Sequence, residues 1–167
     1  QGISFVRGSS RARADWDLLH RLRDRWPHKR VVKGVQAPED AVRIKAAGAD
    51  ALYVSNHGAR QLNAAPTAMT STAPVRAAIG NEMPLIVDGG VRSGEHVIKA
   101  IASGADFVMI GRSAMFGLGA AGATGLADIL DSFAREASSV MGLAGKTKIG
   151  DIDTSCLAVA HGYSAGD

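Results

Sequence analysis

A single cysteine, Cys156, excludes an intrachain disulfide and a cysteine-rich metal site, and it fits a reducing compartment. Aromatic residues are also scarce, at 5% of the chain, and the net charge is only +3. A nucleic-acid binder needs a concentrated basic stripe, often interleaved with stacking rings, so no nucleic-acid partner is expected. The basic residues gather between Arg7 and Arg30, but Asp15, Asp17 and Asp24 interrupt them. That pattern predicts a solvated helix face. No apolar run approaches the ~20 residues of a membrane span, and no signal peptide opens the chain. A cytoplasmic location is expected on those grounds. The first residue is Gln rather than Met, which points to a chain without its natural start. What remains is ordinary for one globular domain: 167 residues, 46% apolar and 21% charged.

Hydrophobic patterning predicts alternating helices and strands. Residues 1–14 read as a flexible arm, and Asp15 caps a helix bearing Trp16, Leu18, Leu19 and Leu22, which Pro27 stops. A strand over Arg30–Gly34 precedes a helix from Pro38 to Ala47 that Gly48 closes in a left-handed conformation. A strand over Ala51–Ser55 is followed by a loop over Gln61–Ser71 able to cover a site, then a helix over Pro74–Ile79. The strand Pro84–Asp88 leads to a helix capped by Ser93, and Phe107–Ile110 forms the fourth strand. The last helix runs from about Gly125 to Leu143, and the tail from residue 146 is irregular. Ala47-Gly48-Ala49-Asp50 and Ser103-Gly104-Ala105-Asp106 echo each other, each ending a helix and leading into a strand.

Such alternation implies parallel strands with right-handed crossovers. Lys33, His57, Arg60, Asp88, Arg92 and Arg112 all fall at or just beyond strand carboxyl ends. In a (β/α)8 barrel that face carries the active site, whereas a doubly wound sheet concentrates its site near one switch point. All four strands contribute here, which favours an α/β fold of the barrel type. A complete barrel needs about 250 residues, so residues 15–145 correspond to half of one. A half-barrel leaves two strand edges bare, which invites self-association or pairing with a complementary half.

Three motifs carry candidate chemistry. In Val54-Ser55-Asn56-His57-Gly58-Ala59-Arg60, a strand ends on a histidine able to exchange a proton near neutral pH and an arginine able to clamp a carboxylate. In Asp88-Gly89-Gly90-Val91-Arg92-Ser93-Gly94, bare backbone N–H groups at a helix start can face a phosphate. Ile110-Gly111-Arg112 repeats that arrangement on the next strand. Each has a plainer reading: a structural histidine, tight glycine turns, and a Lys33 paired with Asp88 instead of facing an electron-accepting ring.

In order and spacing these motifs, with Trp16-Asp17-Leu18-Leu19, Trp26-Pro27 and Val32-Lys33-Gly34, resemble the FMN-dependent 2-hydroxy-acid oxidases and dehydrogenases. That family includes glycolate oxidase, lactate oxidase, L-lactate dehydrogenase and mandelate dehydrogenase. The resemblance spans about Asp15 to Gly145 and implies the C-terminal half of a TIM barrel, strands five to eight. It implies FMN as cofactor, His57 as the base and Arg60 as the carboxylate clamp. Lys33 and Ser55 would then touch the flavin, while Asp88, Gly89, Gly90, Val91, Arg92, Gly111 and Arg112 would hold the ribityl chain and phosphate. The partners implied are a small 2-hydroxy acid and an electron acceptor such as oxygen, a quinone or a cytochrome. A peripheral position at the inner face of a membrane is the second location it allows, with Arg7, Arg11 and Arg13 facing the lipid. Ala59 and Asn63 depart from the usual glycine and aspartate of the family. A non-catalytic half-barrel that binds a phosphate ligand or a partner is the competing expectation.

Overall fold

The computed structural model describes residues 15–158. The expected arm over residues 1–14 lies outside them, as does the end of the tail. Four strands, β1 (Val31–Val35), β2 (Ala51–Val54), β3 (Leu85–Val87) and β4 (Phe107–Val108), form one sheet in chain order. Every pairing is parallel. Helix α1 (Trp16–Arg25) precedes β1, and α2 (Pro38–Ala46), α3 (Ala68–Ile79), α4 (Gly94–Ala102) and α5 (Arg112–Leu143) follow the four strands in turn. This is the βα repeat expected of a partial barrel.

Residues across the strands line up in rows that alternate between faces. Val32, Leu52 and Leu85 form one row, and Val35, Val54, Val87 and Val108 another. Leu52, Val54, Leu85 and Val87 are at most 1% exposed, packed against Ala41 and Ile44 of α2, Ala68, Val75 and Ile79 of α3, and Ala100 of α4. Each such leucine or valine contributes roughly 1.5–3 kcal/mol by leaving water. The row between them, Lys33, Tyr53, Ile86 and Phe107, lies on the other face. Among the described residues no helix packs over that face, and Phe107 is 61% exposed.

Strict alternation would turn Val35 outward with Lys33. A register shift between Lys33 and Val35 prevents this. Gly34, at φ +96°, is the extra residue, a conformation that costs glycine little.

The repeated Gly-Ala-Asp segments do the same work twice. The Asp50 carboxylate accepts from the Arg30 N–H at 2.9 Å, and Asp106 accepts from the Leu85 N–H at 2.7 Å. Each aspartate thus ties the amino end of its strand's neighbour. Lys29 and Arg23 pair with Asp50, and Arg76 with Asp106. Buried Arg30 donates to the carbonyls of Leu19 and Ala47 at 2.6 and 2.8 Å, so it fastens α1 and α2 to β1. It is not part of a solvated basic face.

Three expectations need correction. Helix α3 starts at Ala68, capped by the Thr67 hydroxyl, and it contains Pro74 instead of starting there. Burial of Ala68, Ser71, Thr72, Val75 and Ile79 along one side sustains it despite the proline's missing donor. Helix α5 starts at Arg112, not near Gly125, and breaks at Ala121–Gly122, where the glycine reaches φ +59°. The break folds the two pieces together so that Gly117 and Gly125 touch backbone to backbone. In length and composition α5 could cross a membrane, although no run of the expected length was evident in sequence. Its second piece carries Asp128, Asp131, Arg135 and Glu136. Finally, residues 146–158 are not irregular throughout: two 3-10 turns bring Ile152 into a small core with Ile98 and Ala102.

Two predictions follow from the packing. A Cβ at Gly94 would overlap the Phe133 carbonyl and the Ala137 amide of α5. Gly94→Ala should therefore lower stability by about 1–3 kcal/mol, read as a lower urea midpoint with an unchanged slope. The Lys29 hydrogen bond, then the Arg30 N–H, holds the Asp50 carboxyl below its ordinary 3.8. Its stabilising effect is complete above that ordinary value and lost as pH falls through the lowered one. Wild type and Asp50→Asn should therefore differ in melting temperature at neutral pH and converge in strong acid.

Candidate functional site

The carboxyl ends of β1, β2 and β3 bring together residues far apart in sequence. The Lys33 ammonium donates to the Ser55 hydroxyl at 2.8 Å and lies 3.2 Å from Asp88 Oδ2. It also sits 4.7 Å above the centre of the Tyr53 ring. The Tyr53 hydroxyl donates to the same Asp88 oxygen at 2.9 Å. Burial first, then the Asp88 hydrogen bond and charge, push the phenol well above its ordinary value, so it stays protonated. The other Asp88 oxygen, Oδ1, is buried without a partner. A buried carboxylate oxygen left this way can accept from a further donor.

After Ser55 the chain enters a tight turn over His57–Ala59, in which His57, Gly58 and Ala59 have φ of 56°, 64° and 63°. Left-handed backbone at two non-glycine residues is costly and persists only when neighbours hold it. Here the Asn56 side chain accepts from the Gly58 N–H at 3.0 Å, and Ser55 Oγ accepts from the His57 N–H at 3.1 Å. The imidazole rests on Gly34: a Cβ there would stand 2.7 Å from His57 Cε1. His57 and Arg60 are both exposed toward solvent. Arg112, the first residue of α5, reaches this turn, with Nη2 3.5 Å from where a Gly58 Cβ would lie.

The expected phosphate cradle divides in two. The start of α4 is occupied from within: Gly94 N–H donates to Glu136, His96 N–H to Ser93, and Arg92 N–H to His96 Nδ1. Three of the backbone donors there are already taken. The start of α5 is different, because Gly111 supplies no side-chain cap and a Cβ on it would meet nothing within 4 Å. Gly90, at φ +79°, has the same open space. Val91 is buried, and its carbonyl accepts from the Ser113 hydroxyl at 3.3 Å, which joins this loop to α5. The Arg92 side chain is exposed beside it. Gly90 and the α5 amino terminus, where Arg112 stands, are thus the parts of the cradle that keep space for an anion.

Tyr53, Asn56 and Glu136 take part in this site without having been singled out in sequence. Tyr53 was discoverable, since period-two alternation from Ser55 puts it on the face of Lys33 and Asp88. Asn56, two residues before a glycine, carries the signature of a side-chain-capped turn. Glu136 had no local signal. Among the described residues no cluster of His, Cys, Asp and Glu could hold a metal ion.

Comparison with known proteins adds independent findings. The family model described as FMN-dependent dehydrogenase matches residues 1–159. The L-lactate oxidase of Lentilactobacillus hilgardii is 38% identical over 94% of the chain and 42% of its own length. The L-lactate dehydrogenase of Pseudomonas syringae pv. syringae is 39% identical over 87% of the chain and 38% of its own length. A soluble mutant of the membrane-associated (S)-mandelate dehydrogenase from Pseudomonas putida superposes with a TM-score of 0.84 at 38% identity, covering 88% of the chain and 42% of that structure. The chain thus spans about two fifths of the length of the curated relatives it matches.

The contact between Gly34 and His57 can be tested directly. Gly34→Ala should displace the imidazole and strain the bulge at φ +96°. A changed His57 ring resonance in NMR spectra with a lower melting temperature is the expected result.

Proposed function

The chain belongs to the FMN-dependent dehydrogenase family, and from that premise we propose that it builds part of a site oxidising a small L-2-hydroxy acid to a 2-oxo acid. The observation that carries this reading is Asp88 Oδ1, a buried acceptor without a partner, set beside the Lys33 ammonium and the glycine-lined start of α5. A ribityl hydroxyl answers the first, an electron-accepting ring the second and a phosphate the third. FMN, when bound, supplies a two-electron acceptor.

The residues divide the remaining work. Asp88 and Ser55 hold and orient, and Lys33 presents a positive charge toward the ring. Gly89, Gly90, Gly111, Arg112 and Arg92 surround the phosphate, with Val91 fixing the loop through its carbonyl. Arg60 clamps the substrate carboxylate with two parallel hydrogen bonds, and His57 takes a proton from the substrate. Conversion of the 2-hydroxy to the 2-oxo group releases two electrons and two protons: His57 would take one proton, the other with both electrons would pass to FMN when bound, and an external acceptor would take them on. The strained His57 turn fits a functional site, since left-handed backbone at His57 and Ala59 is retained despite its cost.

The sheet face and the edges of β1 and β4, unpartnered among the described residues, fit a complementary set of barrel strands, which we include in the proposal as a requirement for turnover. The domain organisation proposed is a half-barrel over residues 15–145, with the following segment docked on α4.

The test combines this chain with a complementary N-terminal half and FMN, then follows bleaching of the flavin by L-lactate, glycolate and L-mandelate. Reduction by at least one is expected, and no reduction by any would remove the proposal. His57→Ala should lower the reduction rate at least 10²-fold while FMN binding stays within a few-fold. Equal losses of both would make His57 structural instead.

A further inference from the structure

Lys33 and Tyr53 share one acceptor. The Tyr53 hydroxyl and the Lys33 ammonium both address Asp88 Oδ2, at 2.9 and 3.2 Å, although Oδ1 of the same carboxylate has no partner. The lysine's shorter contact is to Ser55, at 2.8 Å. Its side chain keeps 41% of its surface exposed on the uncovered sheet face. Two donors on one oxygen compete for its charge. The hydroxyl pins the carboxylate and draws charge from it, which leaves the ammonium only loosely paired.

We propose that Tyr53 is a positioning residue that regulates how much of the Lys33 charge faces the open side of the sheet, acting through Asp88. Its ring lies beneath the ammonium and its hydroxyl holds the counter-ion. Removing the hydroxyl alone would free Oδ2 and let Lys33 close onto Asp88, so less positive charge would reach a bound group. This effect on Lys33 stands without FMN, and only its bearing on FMN rests on the function proposed above.

Tyr53→Phe is the informative variant, since it keeps the ring under Lys33 and removes only the hydroxyl. Far-UV circular dichroism and melting establish that the full chain still folds. Three measurements then decide. First, in a Tyr163→Phe background, labelled tyrosine leaves Tyr53 as the one phenol signal. It should titrate above the ordinary value of 10.0 and move down in Asp88→Asn; identical titrations in the two proteins overturn the coupling. Second, acylation of Lys33 without FMN, followed by mass spectrometry, should slow at least threefold in Tyr53→Phe. An unchanged rate overturns the proposed action on Lys33. Third, the preference for reduced over oxidised FMN should fall about tenfold in Tyr53→Phe, a shift of about 30 mV for a two-electron couple. Failure of wild type to bind FMN would count against the proposed function, and the first two measurements would still decide the role of Tyr53.

Discussion

The bulge at Gly34 lets β1 keep Val35 in the core while Lys33 stays on the opposite face. Period-two alternation cannot satisfy both demands without one inserted residue. The same glycine then provides the floor for the His57 imidazole, because any side chain would occupy that space. The core on one side of the sheet and the imidazole at its end therefore depend on one backbone conformation. A residue with a Cβ would strain the first and obstruct the second.

Around that constraint the two ends of the sheet have separated tasks. At the amino end, Asp50 and Asp106 bond to the backbone of the neighbouring strands, and cations surround them. These contacts tie neighbouring strands together at their amino ends. The carboxyl end is the reverse: Asp88 has an unused oxygen, Lys33 is partly exposed, and α5 starts without a side-chain cap. Stability contacts at one end and unfinished contacts at the other are the division expected of a barrel. Glu136 sharpens the point, since its carboxylate occupies the Gly94 N–H at the start of α4, whereas the start of α5 has no side-chain cap.

Much of this was legible in the chain. The four strands, their order and the caps at Asp15 and Ser93 follow from apolar runs and local hydrogen-bonding residues. The gathering of Lys33, Ser55 and Asp88 followed from their shared position at strand ends. The helix boundaries around Pro74 and Gly125 did not, because burial of one helix side outweighs a proline's local cost, and small residues give no periodic signal. Arg30 was misread for a related reason. A charge inside a basic run looks solvated until two helix carbonyls are brought to it.

By itself the sequence determined the alternation of elements, the motifs and the family they resemble, because those depend on nearest neighbours and fixed spacings. Only the tertiary structure decided that Tyr53 and Lys33 share Asp88 Oδ2, that Gly34 supports His57, and that Glu136 closes α4. Each of these joins residues more than twenty positions apart. Such contacts exist only after parallel strands have been brought side by side, and no local pattern encodes the distance between them.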